Sequence, residues 1–387
     1  MSKQRNICFW GTFYDDYPRN YMFINGLKSL ECNVSVCRTD IRGLYKSYDF
    51  LAKYKLNIKP FMILNFVLIF LARLFIYLSL SVDFMVRHRD CDIIITGCEY
   101  EEDVLWASFL ARIFGKKLIF NALNSNYETS VIDRGKVSTS SFLGKYILKT
   151  DKKSFNVPDI IIVDTEEHKK YFSSIFDSDI NKFKVIYVGA DEKIFNLDYN
   201  CGEDKDIFTA VFYGIYTPLH GVKYIIEAAN VLKDEGIKFK IIGDGQDKEK
   251  ALAKAKEFGL KNIDFIDYLS QNKVTEELEN SDIGLGIFGG TDKSYRVIPH
   301  KVFQMMMAGL PVITADSPAV REVFKDGESC VLCSMADAAS LANKIKLLKE
   351  DRKLRKNISK NAKELVKSNF NTGSISSRLY DIIKEIV

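Results

Sequence analysis

Short runs of Ile, Val and Phe alternate along the chain with longer stretches whose apolar positions recur every three or four residues. The runs fall at 6–10, 33–37, 92–96, 117–120 and 160–163 in the first half, and at 209–213, 239–242, 263–266, 283–287 and 311–314 in the second. Continuous apolar runs of strand length, separated by helical segments, predict parallel strands buried on both faces. Two such sets in succession predict two Rossmann-like domains. The polar stretch LDYNCGEDKD, near 196–206, is the expected boundary. Ligands of open parallel sheets sit beyond the carboxyl ends of the strands, so the cleft between the two halves is the expected site.

A length of 387 residues agrees with two domains. With 55 basic and 51 acidic residues the net charge is +4, too balanced for a nucleic-acid binder. The start, MSKQRNICFWG, shows no apolar leader, so a cytoplasmic protein is expected. Eight scattered cysteines then read as reduced thiols. Cys330 and Cys333 form a CxxC within a strand-like segment, with no second pair to complete a zinc site, and no metal is expected. Asp177 and Asp179 form a DxD that looks like a helix end.

The segments FYGIYTPLHGVKYIIEAANVL, KFKIIGDGQ, DIGLGIFGGTDKSYRVIPHKVFQMMMAGLPVITADSPAVREVF and DGESCVLC, in this order, resemble glycosyltransferase family 4 over nearly the whole second half. The first half is similar more loosely, through YPRN, DTEEHKKYF and VIYVGADEKIF. The resemblance implies an α/β protein of GT-B fold, two Rossmann-like domains facing across a cleft. It implies a UDP- or GDP-linked nucleotide-sugar donor, no further cofactor and no obligatory metal, and retention at the anomeric carbon. The expected division is 1–198 for the acceptor side and 199–373 for the donor side, with 374–387 crossing back onto the first domain. The leading expectation is a hexosyl or related transferase acting on a lipid-linked or glycan acceptor in assembly of a surface polysaccharide or glycolipid. The alternative is an inactive GT-B subunit that binds donor or partner.

For the donor diphosphate, Gly214 ends a strand and Gly221 opens a helix, where backbone amides and the helix dipole favour anions. Where the family commonly has Arg and Lys, this chain has Ile215 and His220. The missing charge is expected from Lys293, Arg296 and Lys301, with Arg296 and Lys301 carrying catalysis. The family's two glutamates are replaced by Arg296 and Gln304; Gln304 still suits ribose hydroxyls. Gly290 and Thr291 are expected at the sugar and phosphate, and Tyr216 and Gly11 in the donor site. Gly243 and Gly245 read equally as a donor contact or a tight turn. On the acceptor side the candidates are Arg19, Glu99, Asn124, Asp133 and Arg134, with Asp103 and Asn121 nearest the chemistry.

The apolar stretch from Phe61 to Phe84 is long enough to span a bilayer. It lies between two strands of one expected sheet, carries Arg73 and is flanked by Lys and Arg. It is therefore read as a surface docked into one leaflet at the inner face of the cell membrane. A buried helix or a dimer face is the other reading.

Overall fold

The computed structural model describes residues 4–14, 16–43, 59–197 and 207–387. The expected domain boundary at 198/199 and Cys201 lie outside the described residues. So do the side chains of 59–66, the first part of the apolar helix.

The first half builds a parallel sheet from β1 (Asn6–Gly11), β2 (Asn33–Arg38), β3 (Ile93–Thr96), β4 (Lys117–Asn121), β5 (Ile160–Val163) and β6 (Phe183–Val185), in the order β2-β1-β3-β4-β5-β6. The second builds another from β7 (Phe208–Tyr213), β8 (Ile237–Ile242), β9 (Ile263–Ile266), β10 (Ile283–Leu285), β11 (Val312–Ala315) and β12 (Val331–Cys333), in the order β12-β11-β10-β7-β8-β9. Each sheet has helices on both faces, so its strands are apolar throughout: β3 and β5 are buried at every position. The strand order reverses between β1 and β3 and again between β7 and β10. Loops leaving those strands diverge and open a crevice.

The helix Thr372–Ile386 closes the chain against the first half. Ile375, Leu379 and Ile383 enter the same core as Ile7 and Phe9. It lies so near the helix Pro18–Ser29 that a Cβ on Gly26 would fall 1.9 Å from Ser376 Oγ. The two passages of chain between the halves touch: Ala190 N–H donates to Phe370 C=O at 2.9 Å. A Cβ on Gly189, whose φ is +73°, would meet that same oxygen at 2.3 Å.

The apolar helix Lys59–Asp83 packs one face inward, where Trp10, Tyr77 and Trp106 stack at centroid distances of 6.1 and 5.1 Å. Among the described side chains, Leu71, Phe75, Leu78 and Val82 point out of the fold, Phe75 being 72% exposed, and Val86 just beyond the helix continues the stripe. The helix is long and apolar enough to cross a membrane. However, β2 and β3 both pair with β1, which places the strands before and after it on one side.

Candidate active site

A cleft of about 930 Å³ lies between the halves, where the two crevices face each other. Its walls come from the loops after β1 (Tyr14, Tyr17), β3 (Glu99), β4 (Asn124, Asp133, Arg134), β7 (Ile215, Thr217, His220) and β10 (Lys293, His300).

The wall after β7 is built by glycines. Gly214 has φ +141°, and the Gly243–Gly245 turn crosses it so closely that a Cβ on Gly243 would fall 2.0 Å from Gly214 O. Tyr216 N–H donates to Asp244 C=O at 2.8 Å, and a Cβ on Gly245 would meet Tyr216 N at 2.6 Å. Gly243 and Gly245 are thus the tight-turn alternative: they shape the loop from behind and do not line the cleft. Gly221, at φ +65°, starts the helix Val222–Val231 against the Phe288–Gly289 backbone, 2.5 Å from where its Cβ would be. Tyr216 is a core residue whose hydroxyl donates to Ile241 C=O at 3.1 Å, which corrects its expected place at the donor.

Directly behind this wall stands Lys301, in the first turn of the helix His300–Ala308 and only 5% exposed. Its Nζ lies 3.7 Å from the centre of the Phe212 ring and 3.5 Å from where a Gly214 Cβ would be. Among the described residues no hydrogen-bond partner reaches it. Burial pulls its pKa well below the usual 10.5. His220 points its Nδ1 at Ile215 C=O, and burial together with Lys301 keeps its ring neutral. Arg134 faces this wall across the cleft, with Nε buried and no partner among the described residues.

Lys293 and Arg296 lie differently from expectation. Both turn to Glu128 of the first half, at 3.3 and 3.0 Å. Glu128 is 0% exposed and also lies 3.4 Å from His168 Nε2, whose other nitrogen meets Asp164 at 2.5 Å. Burial alone would raise the Glu128 pKa, but Lys293, His168 and Arg296 hold it far below the ordinary carboxylate range. Burial alone would lower His168, and Asp164 and Glu128 lift it instead to about 9. Lys293 donates to Asn124 Oδ1 at 2.9 Å and Thr129 at 2.8 Å, and the Arg296 guanidinium covers the Tyr171 ring at 3.7 Å. Thr291 donates to Asp133 at 2.8 Å. In this state these groups join the two halves; Lys293 reaches the cleft wall and Arg296 does not.

Other candidates are interior braces. Asp103 accepts from Thr12 N–H at 2.6 Å and Tyr77 hydroxyl at 2.9 Å, and burial raises it to about 7. A Cβ on Gly11 would strike its Oδ2, so that glycine makes room for Asp103 rather than for donor. Arg19 donates to Asn121 Oδ1 at 2.7 Å and Ile186 C=O at 2.8 Å. Asp103, Asn121 and Arg19 do not line the cleft: each side chain is fully buried and bonded to an interior partner. Glu99 does line it, accepting from Asn20 at 2.8 Å. Gln304 accepts from the Tyr213 hydroxyl at 2.7 Å, and Gly290 packs toward Ala336.

Glu128, Asp164, His168 and His300 went unnoticed in the sequence. His300 lines the cleft beside Tyr17, and burial, with Arg19 nearby, pushes it down to about 4. The one local signal for Asp164 and His168 was the segment DTEEHKKYF.

Residues 200–365 match the family described as Glycosyl transferases group 1. "Uncharacterized glycosyltransferase MJ1069" of Methanocaldococcus jannaschii is 26% identical over 73% of this chain and 72% of its own length. An N,N'-diacetylbacillosaminyl-diphospho-undecaprenol alpha-1,3-N-acetylgalactosaminyltransferase of Campylobacter jejuni is 28% identical over 186 residues; the chain spans 46% of that protein. Anabaena HepE, solved with UDP-glucose, superposes with a TM-score of 0.71 at 14% identity, covering 99% of this chain and 100% of its own. The sucrose-phosphate synthase of Thermosynechococcus elongatus gives 0.70 at 13% identity, over 99% of each chain. The fold is GT-B, and residues 200–365 of this chain are a Glycosyl transferases group 1 domain.

Proposed function

We propose that the protein is a retaining glycosyltransferase that moves a sugar from a UDP-linked donor to a lipid-linked acceptor at a membrane surface. The observation that carries this reading is Lys301, a buried amine with no hydrogen-bond partner among the described residues, behind the glycine-built wall of a cleft of about 930 Å³. A diphosphate in that cleft would meet His220 on one side and Arg134 on the other, with Lys301 behind the wall, its Nζ 3.5 Å from where a Gly214 Cβ would be. As the bond from the anomeric carbon to the phosphate oxygen breaks, charge grows on the departing diphosphate, and these groups are aimed at it. The acceptor hydroxyl oxygen bonds the anomeric carbon on the same face, and its proton passes to the departing phosphate oxygen. The chain's contribution is positioning and charge stabilisation. The UDP-glucose bound in the HepE structure supports the choice of base.

No divalent ion enters the scheme. Asp177 ends the helix Glu166–Phe176 and Asp179 caps the turn Ile180–Lys182, both away from the cleft. The lipid acceptor is supported by the outward apolar stripe, by Phe109 and Ile113 exposed on the neighbouring helix Glu101–Phe114, and by Arg73, which reaches from the apolar helix to the cleft. The printed acceptor of the Campylobacter relative, an undecaprenol diphosphate, points the same way. A protein docked by this face would sit at the inner leaflet.

The test is thermal stabilisation by UDP, GDP and their sugars, followed by turnover with the stabilising donor. No stabilisation by any nucleotide removes the donor site. Stabilisation without turnover favours a second reading, an inactive donor-binding subunit, motivated by Arg296 and Gln304 standing where the family has two acids.

A further inference from the structure

Where the apolar helix ends against β2, three side chains of different chemistry converge. Cys37 is the penultimate residue of β2 and fully buried. Asp83 is the last residue of the apolar helix, and His88 ends the π-helical turn Phe84–His88 that follows. In an α-helix, residues five apart point about 140° away from each other. The π-helical turn cancels that divergence and brings His88 Nε2 to 3.4 Å from Asp83 Oδ2. One ligand atom each from Cys37, Asp83 and His88 lie within 4.8 Å of one another.

We infer that Cys37, Asp83 and His88 form a binding site for a divalent transition metal of zinc-like chemistry. A thiolate, a carboxylate and a neutral imidazole are the donor types such an ion takes, and tetrahedral geometry leaves a fourth place for water. Two anionic ligands neutralise the ion, so the bound cluster is uncharged in its half-buried setting. The His88 side chain is 12% exposed, and while Nε2 faces Asp83, its Nδ1 is buried with no hydrogen-bond partner among the described residues. The Cys37 thiol reaches the Leu80 carbonyl at 3.4 Å and also hydrogen-bonds the Asp83 carboxylate, which places sulfur and carboxylate side by side. Arg87 reaches the other Asp83 oxygen from solvent, at 3.1 Å, and leaves Oδ2 for the cluster. Insertions of this π-helical kind recur at functional positions. The metal would tie the end of the apolar helix to β2. Because none of the three residues lines the cleft, it would act on stability and not on nucleotide binding.

The experiment uses the full chain, stripped with EDTA and titrated with Co²⁺, with UDP-induced thermal shifts recorded alongside. The expected result is one equivalent of Co²⁺ with a sulfur-to-cobalt charge-transfer band, displaced by Zn²⁺. Cys37→Ser should abolish the band, and His88→Gln should weaken binding by at least about tenfold. Both variants should keep the UDP shift, which separates this site from the fate of the transferase reading. A wild type without a thiolate band overturns the inference. So does a band that survives in Cys37→Ser, which would assign it to the seven other cysteines. Should Cys37→Ser fail to fold, His88→Gln decides: unchanged Co²⁺ affinity there overturns the site.

Discussion

Replacing Glu128 by Gln removes one negative charge from a place where three cationic groups meet. Lys293 and Arg296 come from the second half, and His168 comes from the first. The amide still accepts one hydrogen bond from Arg296 but leaves those cations facing one another in a fully buried setting. Removing one partner of a buried pair costs about 3–5 kcal/mol, and the near-isosteric amide places this change toward the lower end. The His168 shift gives an independent figure. Its rise from 6.5 to about 9 corresponds to about 3 kcal/mol, shared between Asp164 and Glu128. A raised imidazole pKa stabilises fully below pH 6.5 and loses that contribution as pH climbs through about 9. The Glu128 carboxylate works in the opposite sense, stabilising above pH 4.5 and failing only in strong acid. Wild type should therefore lose stability between pH 7 and 10. In Glu128→Gln the His168 pKa falls, and the loss should begin at lower pH. Both tryptophans, Trp10 and Trp106, lie in the first half, so urea unfolding followed by fluorescence reports that half, with circular dichroism reporting the whole. A loss below about 1 kcal/mol, with the same pH profile as wild type, would refute the reasoning.

Lys301→Met should weaken UDP binding by about 1.5–3 kcal/mol, the range for a charge-assisted contact; unchanged affinity by calorimetry in a folded variant removes Lys301 from the site. Since burial lowers the Lys301 pKa and a nearby diphosphate would raise it, UDP binding should draw a proton from buffer. This is read as a dependence of binding enthalpy on buffer ionisation that Lys301→Met lacks, and equal enthalpies in all buffers for wild type would contradict it. Turnover below the melting temperature should persist in EDTA; a complete loss restored by Mn²⁺ or Mg²⁺ would sink the metal-free scheme. Leu71, Phe75 and Leu78 replaced together by Ser should release the protein from anionic liposomes in flotation, while salt alone releases it partly, by screening. A wild type that never floats ends the membrane reading.

The strands were legible because a strand buried on both faces must be apolar throughout, and the observed bounds differ from the expected runs by a residue or two. Side-chain roles were harder. Lys293 and Arg296 looked like free cations because their counter-charge lies 168 residues from Arg296, in the unremarkable segment NYETSV. Asp103 and Asn121 were placed by the rule that strand ends face the cleft. That rule locates a loop but does not say which of its side chains turns inward. Gly243 was ambiguous in sequence because a phosphate and a crossing backbone both require a residue without Cβ. Lys301 stands out in the sequence because its turn leads straight into an apolar helix; its burial without a hydrogen-bond partner among the described residues is visible only in the structure. In the apolar helix, a face read at spacing i, i+4 and i+8 through Phe66, Phe70 and Leu74 is met in part: Phe70 is exposed, Leu74 is half-buried, the Phe66 side chain lies outside the described set, and Leu71, Phe75, Leu78 and Val82 extend the outward surface.

The paired passages at Gly189–Ala190 and Phe370 govern how the cleft can breathe. A single tether would leave one half free to twist and slide over the other. Two tethers, hydrogen-bonded side by side next to Val188 on the cleft wall, remove sliding and leave rotation about that seam. Opening then has one principal degree of freedom, like a book turning on its spine. The separation it produces grows with distance from the spine, so substrate entry and product release are geared to one angle. A Cβ at Gly189 would act as a wedge in the binding of that book, pressing on the Phe370 carbonyl and changing the resting angle without adding a side chain to the cleft wall.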